Sequence, residues 1–281
     1  IDIFILFPDG RTSPFQRRQM TTIPDPNAHA LAIDGSFDDC QDLVKAMFAD
    51  VEFRDAVGLT AVNSINWARV LAQVVYYAAG ALALGAPDRP VAFSTPTGNF
   101  GNVFAGWVAR KMGLPIARLI VGSNENDILT RYFTANDMSA RPVAPTTSPS
   151  MDIQISSNFE RLLFELSGRD GARIAAMMAD FRATGVLDAP EAWRAECAAL
   201  FAAQRVDQNE TAAVIQEMRA RTGELLDPHS AIGVAAARGR GPGEGVPTIC
   251  LATAHPAKFA DAVAAASGIR PEPPAAHAGL F

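Results

Sequence analysis

The sequence predicts an α/β fold, an open parallel sheet flanked by helices with an added helical region, and three observations support this prediction. Short apolar runs alternate with helical patterns over the first 125 of the 281 residues, an order typical of strands joined through helices. The runs are apolar throughout, as in parallel strands that are covered on both faces. From residue 158 to residue 239 the patterns are helical, which predicts the added region.

The first elements follow from short local patterns. The run Ile1–Phe7 is continuously apolar and ends at the turn sequence PDG, which predicts a buried strand. A second short strand is predicted at His29–Ile33. A helix follows over CQDLVKAMFAD, because Ser36 can cap it and the acidic Asp39 three residues later is close to a capping box.

The next stretch contains the remaining elements of the predicted core. Asn63 begins a long, mostly buried helix that extends to Leu84, with Asn63 and Ser64 as residues suited to its N-terminus. Further along, the predicted elements are a strand at Pro90–Thr95, a helix at Val103–Met112 and a strand at Ile116–Val121.

Three regions follow from these patterns: an α/β core at 1–125, a loop and mainly helical region at 126–240, and a final region at 241–281. In the last region, the strand PTICLATAH and a helix at Lys258–Ala266 are predicted to return to the core. The segment Asp137–Ser150 is rich in Pro, Ser and Thr, and is predicted to be a loop, either a lid or a static surface loop. The length allows one elaborate domain or two smaller units.

Composition excludes several classes of protein. The net charge of −6 argues against nucleic-acid binding, which needs a basic surface. Three scattered cysteines predict neither a disulfide framework nor a zinc site and fit a reducing cytoplasm, and the four histidines show no metal-binding spacing. The longest apolar run, Val70–Leu84, is too short to span a membrane. We therefore expect no metal, no membrane and no nucleic acid.

The stretch STPTGNFGN places two glycines, Gly98 and Gly101, between a predicted strand and a predicted helix. Such a loop can bind an anion, because backbone N–H groups at a helix N-terminus point outward and the helix dipole favours negative charge. The pattern matches neither a Walker loop nor the dinucleotide pattern GxGxxG. A tight turn without a ligand is an equally good interpretation of the spacing alone.

A second polar cluster opens the long helix in AVNSINWAR. Ser64 and Asn66 lie near its N-terminus, and Arg69 follows one turn in, on an otherwise apolar helix. The polar residues can act as helix caps only, whereas Arg69 needs an anionic partner, a phosphate or a carboxylate. The two helix starts together suggest a site for two anionic groups.

The last predicted strand ends in LATAHPAKF. Thr253 lies where a parallel strand ends, which is the edge at which open α/β sheets bind ligands. An ordinary strand threonine is the alternative. His255 is followed by a proline and is more typical of a structural histidine than of a catalytic one.

Seven segments in order resemble the bacterial and fungal form of threonine synthase. They are PDGRTSPFQRRQMTT, DGSFDDCQDLVKAMF, AVNSINWARVLAQVVYY, STPTGNFGNVFAG, SNENDILTRYF, SPSMDIQISSNFERLLFEL and ATAHPAKF. The resemblance extends from Ile1 to about Gly268. It implies the tryptophan-synthase-β type of pyridoxal-phosphate (PLP) fold, cytoplasmic, as a monomer or homodimer. The implied reaction converts O-phospho-L-homoserine and water to L-threonine and phosphate.

The resemblance also implies roles for particular residues. The cofactor phosphate is expected at the loop formed by Gly98, Asn99, Phe100, Gly101 and Asn102, and Thr253 is expected to face the pyridine nitrogen. The substrate phosphate is expected near Ser64, Asn66 and Arg69.

One departure from the family concerns the lysine that forms the Schiff base with PLP. The chain has only Lys45, Lys111 and Lys258. The first two suit solvent-facing helix positions, and the family does not use the position of Lys258. The lysine is expected upstream of Ile1, and the abrupt start inside an apolar run predicts that an N-terminal part is missing. The alternatives are another PLP lyase, such as a threonine or serine dehydratase, and a non-catalytic binding module of the same fold.

Overall fold

The computed structural model describes residues 1–63 and 66–275. Its elements alternate between strands and helices in the first half and are mainly helical in the second. The strands are β1 (Ile3–Pro8), β2 (Ala28–Ile33), β3 (Val91–Pro96), β4 (Ile116–Ser123), β5 (Phe201–Arg205) and β6 (Thr248–Cys250). The helices are α1 (Pro14–Thr21), α2 (Phe37–Ala49), α3 (Val51–Val57), α4 (Trp67–Ala83), α5 (Gly101–Lys111), α6 (Ile128–Ala135), α7 (Phe159–Leu166), α8 (Gly171–Thr184), α9 (Glu191–Ala198), α10 (Gln208–Thr222), α11 (Pro228–Arg240) and α12 (Ala260–Ser267).

The strands form two parallel sheets, which confirms the predicted α/β class. The central sheet has the order β5-β4-β3-β6, and β1 pairs with β2 in a separate two-stranded sheet. The sequence predicts one sheet, whereas β1 and β2 form a sheet of their own; β6 returns to the core by pairing with β3. Local patterns predict strands but carry no information about which strands become neighbours.

The central sheet is the core of the molecule. Every residue of β3 is buried, and α4 and α5 pack together beside it. On the other side Ser94 donates a hydrogen bond to the carbonyl of Gly233 in α11 at 2.6 Å. The first sheet differs, since the first half of β1 is exposed. The prediction of a buried strand at Ile1–Phe7 is therefore wrong for this half.

Two helix assignments need correction. The predicted helix over EAWRAECAALFAAQ ends at Ala198, and Phe201–Arg205 forms strand β5 beside β4. Ala and Gln favour helix locally, but pairing with β4 overrides that weak preference. The long helix begins at Trp67 with Asn66 as its cap, and not at Asn63. Its outer face is exposed, so the prediction of a mostly buried helix is half right.

Candidate active site

The loop Gly98–Asn102 joins the buried end of β3 to the start of α5. Phe100 is the residue before the helix, and its backbone is left-handed, with φ of 63°. It makes no side-chain capping bond. The N–H groups of a first helical turn have no acceptor within the helix, so this uncapped N-terminus can bind an anion.

The ring of Phe100 explains how a non-glycine residue tolerates a left-handed backbone. Only 1% of Phe100 is exposed, and its ring lies 5.1 Å from that of Phe159 and 6.0 Å from that of Phe201, between ring centroids. Burial of a large ring stabilises a conformation that costs about 1–3 kcal/mol. The core thus holds the loop in its left-handed shape at Phe100.

Both glycines of the loop are needed for close packing. A Cβ on Gly98 would lie 2.9 Å from the Cα of Met151, and one on Gly101 would lie 3.1 Å from Nδ2 of Asn158. These neighbours belong to the segment that follows the Pro- and Ser-rich loop. A side chain at either glycine would push this segment away from the loop.

The segment ISSN, residues 155–158, stabilises the loop through hydrogen bonds that the sequence motifs did not predict. Ser156 Oγ donates to the Gly98 carbonyl at 2.9 Å, and the backbone N–H of Ser157 donates to Asn99 Oδ1 at 2.8 Å. The backbone N–H of Asn158 donates to the Asn99 carbonyl at 3.2 Å. The sequence signal that could have predicted these bonds is the run of three polar residues, Ser156–Asn158, directly before helix α7.

A cavity of about 160 Å³ lies in front of the loop. The five loop residues line it together with Pro96 and Thr97 and with Arg69, Val70 and Gln73 from α4. The structure thus brings Arg69 and the loop together. Among the described residues, the lining contains one arginine, a helix N-terminus and no carboxylate, which makes the cavity electropositive.

The other predicted anion-binding residues lie at the start of α4. The Oδ1 atom of Asn66 accepts the N–H of Ala68 at 2.9 Å, and its Nδ2 donates to the Ala61 carbonyl at 2.6 Å. Asn66 is therefore occupied as a helix cap. Ser64 lies outside the described residues.

Asn102 is anchored from the core side by a tyrosine. The hydroxyl of Tyr77 donates to the Asn102 carbonyl at 2.8 Å and lies 3.1 Å from its Oδ1. Burial raises the pKa of the Tyr77 hydroxyl. The hydroxyl is therefore protonated at neutral pH and stays a hydrogen-bond donor to the loop.

Thr253 lies at the same edge of the sheet as the loop. Cys250, the last residue of β6, is in register with Ser94 of β3, so both strands end at this edge. Thr253 follows three residues later and is exposed. His255 accepts the N–H of Ala257 at 3.2 Å through Nδ1, a capping bond to the next turn.

A buried carboxylate–imidazole pair at the start of α11 was not predicted from the sequence motifs. Asp227 caps α11, and its Oδ1 accepts the Nδ1–H of His229 at 2.8 Å; the Ser230 hydroxyl donates to its Oδ2. His229 is 4% exposed, and its Nε2 has no hydrogen-bond partner within the described residues. The sequence DPHS carried a helix-start signal but nothing that predicted burial.

The Pro- and Ser-rich segment is fastened by a polar network. The N–H of Thr146 donates to Asp152 Oδ2 at 2.8 Å, and the N–H of Ala144 donates to Asn126 Oδ1 at 2.9 Å. Nδ2 of Asn124 donates to Asp152 Oδ1 at 2.8 Å. These bonds favour a static loop over a lid, and the role of the segment stays a prediction.

None of the chain's lysines lines the cavity. Nζ of Lys45 pairs with Asp42 at 3.3 Å, and that of Lys111 lies 5.0 Å from the ring of Trp107. Lys258 is partly buried in the turn that follows His255. Over 1–63 and 66–275, no group of three or more His, Cys, Asp or Glu could hold a metal ion. In the same residues, no helix has the length and apolar content of a membrane span.

Comparisons with known proteins agree on one family. Residues 230–281 match the family model described as "Threonine synthase, C-terminal". The chain is 52% identical over its full length to the threonine synthase of Pseudomonas aeruginosa and covers 60% of that protein. It is 42% identical to the Saccharomyces cerevisiae threonine synthase, covering 94% of this chain and 55% of the yeast protein.

Solved structures give the same result. A PLP-bound threonine synthase from Brucella melitensis matches with a TM-score of 0.91 and 56% identity, over 99% of this chain and 60% of that chain. A maize serine racemase matches with a TM-score of 0.57 at 13% identity, which shows a shared fold only. The fold is thus that of the tryptophan-synthase-β-like group of enzymes. The chain spans 60% of the length of the Pseudomonas aeruginosa and Brucella melitensis proteins.

Proposed function

Since the chain belongs to the threonine synthase family, we propose that it forms most of a PLP-dependent threonine synthase, a lyase that converts O-phospho-L-homoserine and water to L-threonine and phosphate. The observation that carries the proposal is the electropositive cavity, which an uncapped helix N-terminus and Arg69 line and to which no carboxylate of the described residues contributes. Both the cofactor and the substrate carry phosphate groups, which such a cavity suits.

The loop Gly98–Asn102 is proposed to hold the phosphate of PLP. The fit rests on the shape of the loop, because α5 begins after a left-handed Phe100 without a side-chain cap, and the N–H groups of a first helical turn have no acceptor within the helix. When bound, PLP supplies an electron sink for negative charge that develops on substrate carbons. The loop contributes binding and orientation, and its bracing by Ser156 and Ser157 keeps it preorganised.

Arg69 is proposed to hold the phosphate of the substrate, and Ser64 and Asn66 stay members of this site only as predictions from the sequence. Arg69 lines the cavity from α4, and a guanidinium can bind a phosphate through two parallel hydrogen bonds. This position keeps the departing phosphate within the same electropositive cavity. Thr253 is proposed to face the pyridine nitrogen, since its strand ends at the edge where the loop lies.

The lysine of the Schiff base is proposed to lie outside the 281 residues, upstream of Ile1. Borohydride reduction of the protein with PLP, followed by peptide mapping, tests this. We expect a pyridoxyl-lysine on a peptide absent from residues 1–281. A label on Lys258 would contradict the proposed arrangement, and no label in a complete protein would favour a non-catalytic binding module.

Replacing Arg69 with Ala tests the phosphate role. We expect the apparent KM for O-phospho-L-homoserine to rise by about 10- to 100-fold, the loss of one or two charge-assisted hydrogen bonds. Inorganic phosphate should also bind this variant more weakly, as measured by ³¹P NMR. Arg89→Ala, an exposed arginine far from the cavity lining, is the matched control. An unchanged KM would remove Arg69 from this role.

Another PLP lyase, such as a threonine or serine dehydratase, is the nearest alternative. Its substrates carry no phosphate, so turnover of L-threonine or L-serine at the rate of O-phospho-L-homoserine would favour it. We propose a small-molecule substrate as the ligand of the protein, a monomer or homodimer as its state and the cytoplasm as its location. Gel filtration tests the oligomeric state.

A further inference from the structure

The buried pair Asp227 and His229 at the start of α11 has no role in the proposed function so far. The carboxylate of Asp227 accepts the backbone N–H groups of His229 and Ser230, and its Oδ1 lies 2.8 Å from Nδ1 of His229. Both side chains of the pair are buried. A helix cap needs only the backbone bonds. The bond to the imidazole is an additional feature, and it fixes the orientation of the ring.

The direction of α11 places His229 at the carboxyl ends of the strands. Sγ of Cys250, the last residue of β6, lies 3.9 Å from the carbonyl oxygen of Gly233. Further along the helix, a Cβ on Gly241 would lie 3.5 Å from Oγ1 of Thr248, the first residue of β6. Helix α11 therefore runs antiparallel to β6. His229 precedes Gly233 by about 6 Å along the helix, so it lies beyond the end of β6.

The segment that leaves β6 at this edge carries Thr253. Among the described residues, no backbone hydrogen bond joins 252–255 to the central sheet. The chain returns to the core through the turn Pro256–Phe259. There Phe259 is 7% exposed, and its ring centroid lies 4.6 Å from that of His229. The imidazole thus joins this segment to α11.

We propose that Asp227 and His229 are positioning residues for Thr253. Asp227 orients the imidazole, the imidazole supports the ring of Phe259, and Phe259 holds the segment that carries Thr253. The assignment rests on the proposed function, in which Thr253 faces the pyridine nitrogen of PLP. A binding group that the sheet does not hold needs another support, because it must be in place before the ligand arrives.

Hydrogen exchange of the full-length protein without PLP tests the support of this segment. In His229→Ala we expect the peptide containing 252–259 to exchange at least ~10-fold faster, because the contact with the imidazole is lost. His29→Ala is the matched control. The ring centroid of His29 lies 4.8 Å from that of Phe4, and its Nε2 lies 3.8 Å from Oδ1 of Asp2, but it belongs to the first sheet. The control should leave this peptide unchanged.

Asp227→Asn is a milder variant, because asparagine can still cap α11 while the carboxylate that orients the ring is lost. It should accelerate exchange of the same peptide. We expect Asp227→Asn and Phe259→Leu each to weaken PLP binding about 10-fold, as measured by PLP fluorescence. The double variant should lose no more than about 10-fold, since both changes break the same chain of contacts.

The absorption spectrum of bound PLP gives a readout that a purely structural role would not change. Groups near the pyridine ring tune the electronic properties of the cofactor, so a displaced Thr253 should shift the absorption maximum. We expect this shift in Asp227→Asn and in Phe259→Leu. His29→Ala should keep the spectrum of the unmodified protein.

The outcomes separate this proposal from the proposed function. Faster exchange of 252–259, with losses of PLP affinity that do not add, supports the positioning role. Unchanged exchange in His229→Ala and Asp227→Asn, or a loss of about 100-fold in the double variant, overturns it even if the protein forms threonine. If the unmodified protein binds no PLP, the proposed function fails, and the role of Asp227 and His229 toward the cofactor fails with it.

Discussion

Strand β1, with the sequence IFILFP, is more apolar than β3, with the sequence VAFSTP, yet only β3 is buried along its whole length. β3 lies between β4 and β6 and is covered by helices, whereas β1 has β2 as its one strand partner. The apolar content of a strand therefore predicts that its side chains need to be buried, but the neighbouring strands and helices determine whether they are buried. The central sheet meets this need within this chain, and the first sheet does not.

The largest expected contrast is in stability. Phe93→Ala in β3 should lower the free energy of unfolding by about 3–5 kcal/mol, because it leaves a cavity in the core. Phe93 is 0% exposed, and its ring centroid lies 4.6 Å from that of Tyr77. Phe4→Ala in β1, 63% exposed, should change it by no more than about 0.5 kcal/mol. Urea unfolding followed by tryptophan fluorescence measures the free energy of unfolding of both variants. Equal losses of stability would contradict the difference between β1 and β3.

Two buried cysteines allow local opening beside the first sheet to be compared with local opening beside the central sheet. Cys40 in α2 and Cys197 in α9 are 4% and 3% exposed. Burial raises the pKa of both thiols, that of Cys197 to about 12, so neither reacts readily while buried. We call β1, β2 and α2 the first unit; since much of it is exposed, it should open at a lower free energy than the central sheet, and we expect a thiol reagent to modify Cys40 at least ~100-fold faster than Cys197.

Peptide mass mapping after timed labelling distinguishes the two thiols. The urea-unfolded chain is the control, because there both should react at similar rates. Equal native rates would mean that the first unit and the central sheet open together.

The smallest expected effect concerns pH. A hydrogen bond from Ser139 and the neighbouring Arg131 hold the pKa of Asp137 down to about 2 from an ordinary value of 3.8. Because the folded state binds this proton less readily than the unfolded chain, the stabilisation is present above pH 3.8 and is lost as pH falls toward 2. It amounts to about 1 kcal/mol, reduced by solvent screening because the side chain is 38% exposed.

Asp137→Asn should therefore flatten the decline of stability between about pH 4 and pH 2, as measured by urea unfolding at each pH. In the first unit, hydrogen bonds with Ser36 also lower the pKa of the exposed Asp39. Asp39→Asn should have a smaller effect on the same curve. An unchanged slope in Asp137→Asn would show that other carboxylates control acid unfolding.

The sequence by itself determined the class of fold and most of the elements. Apolar runs locate five of the six described strands, because burial of parallel strands leaves a signal that needs no partner to be recognised. The glycine pattern after β3 marks the loop, since glycines before a helix allow a close backbone approach. Ser36 marks the start of α2 through its bonds with Asp39, a contact between near neighbours.

Which of these elements contact one another is evident only from the tertiary structure. β5 became a strand because β4 offered it a free edge, against a local preference for helix. Phe100 holds its left-handed backbone through contacts with Phe159 and Phe201, more than 50 residues away along the chain. Helix α4 shows the converse, because its apolar residues Leu71 and Val75 remain exposed where no other element of the described chain covers them. Periodicity states which side chains must leave water, and the contacts that remove them from water come from distant parts of the chain or from another polypeptide.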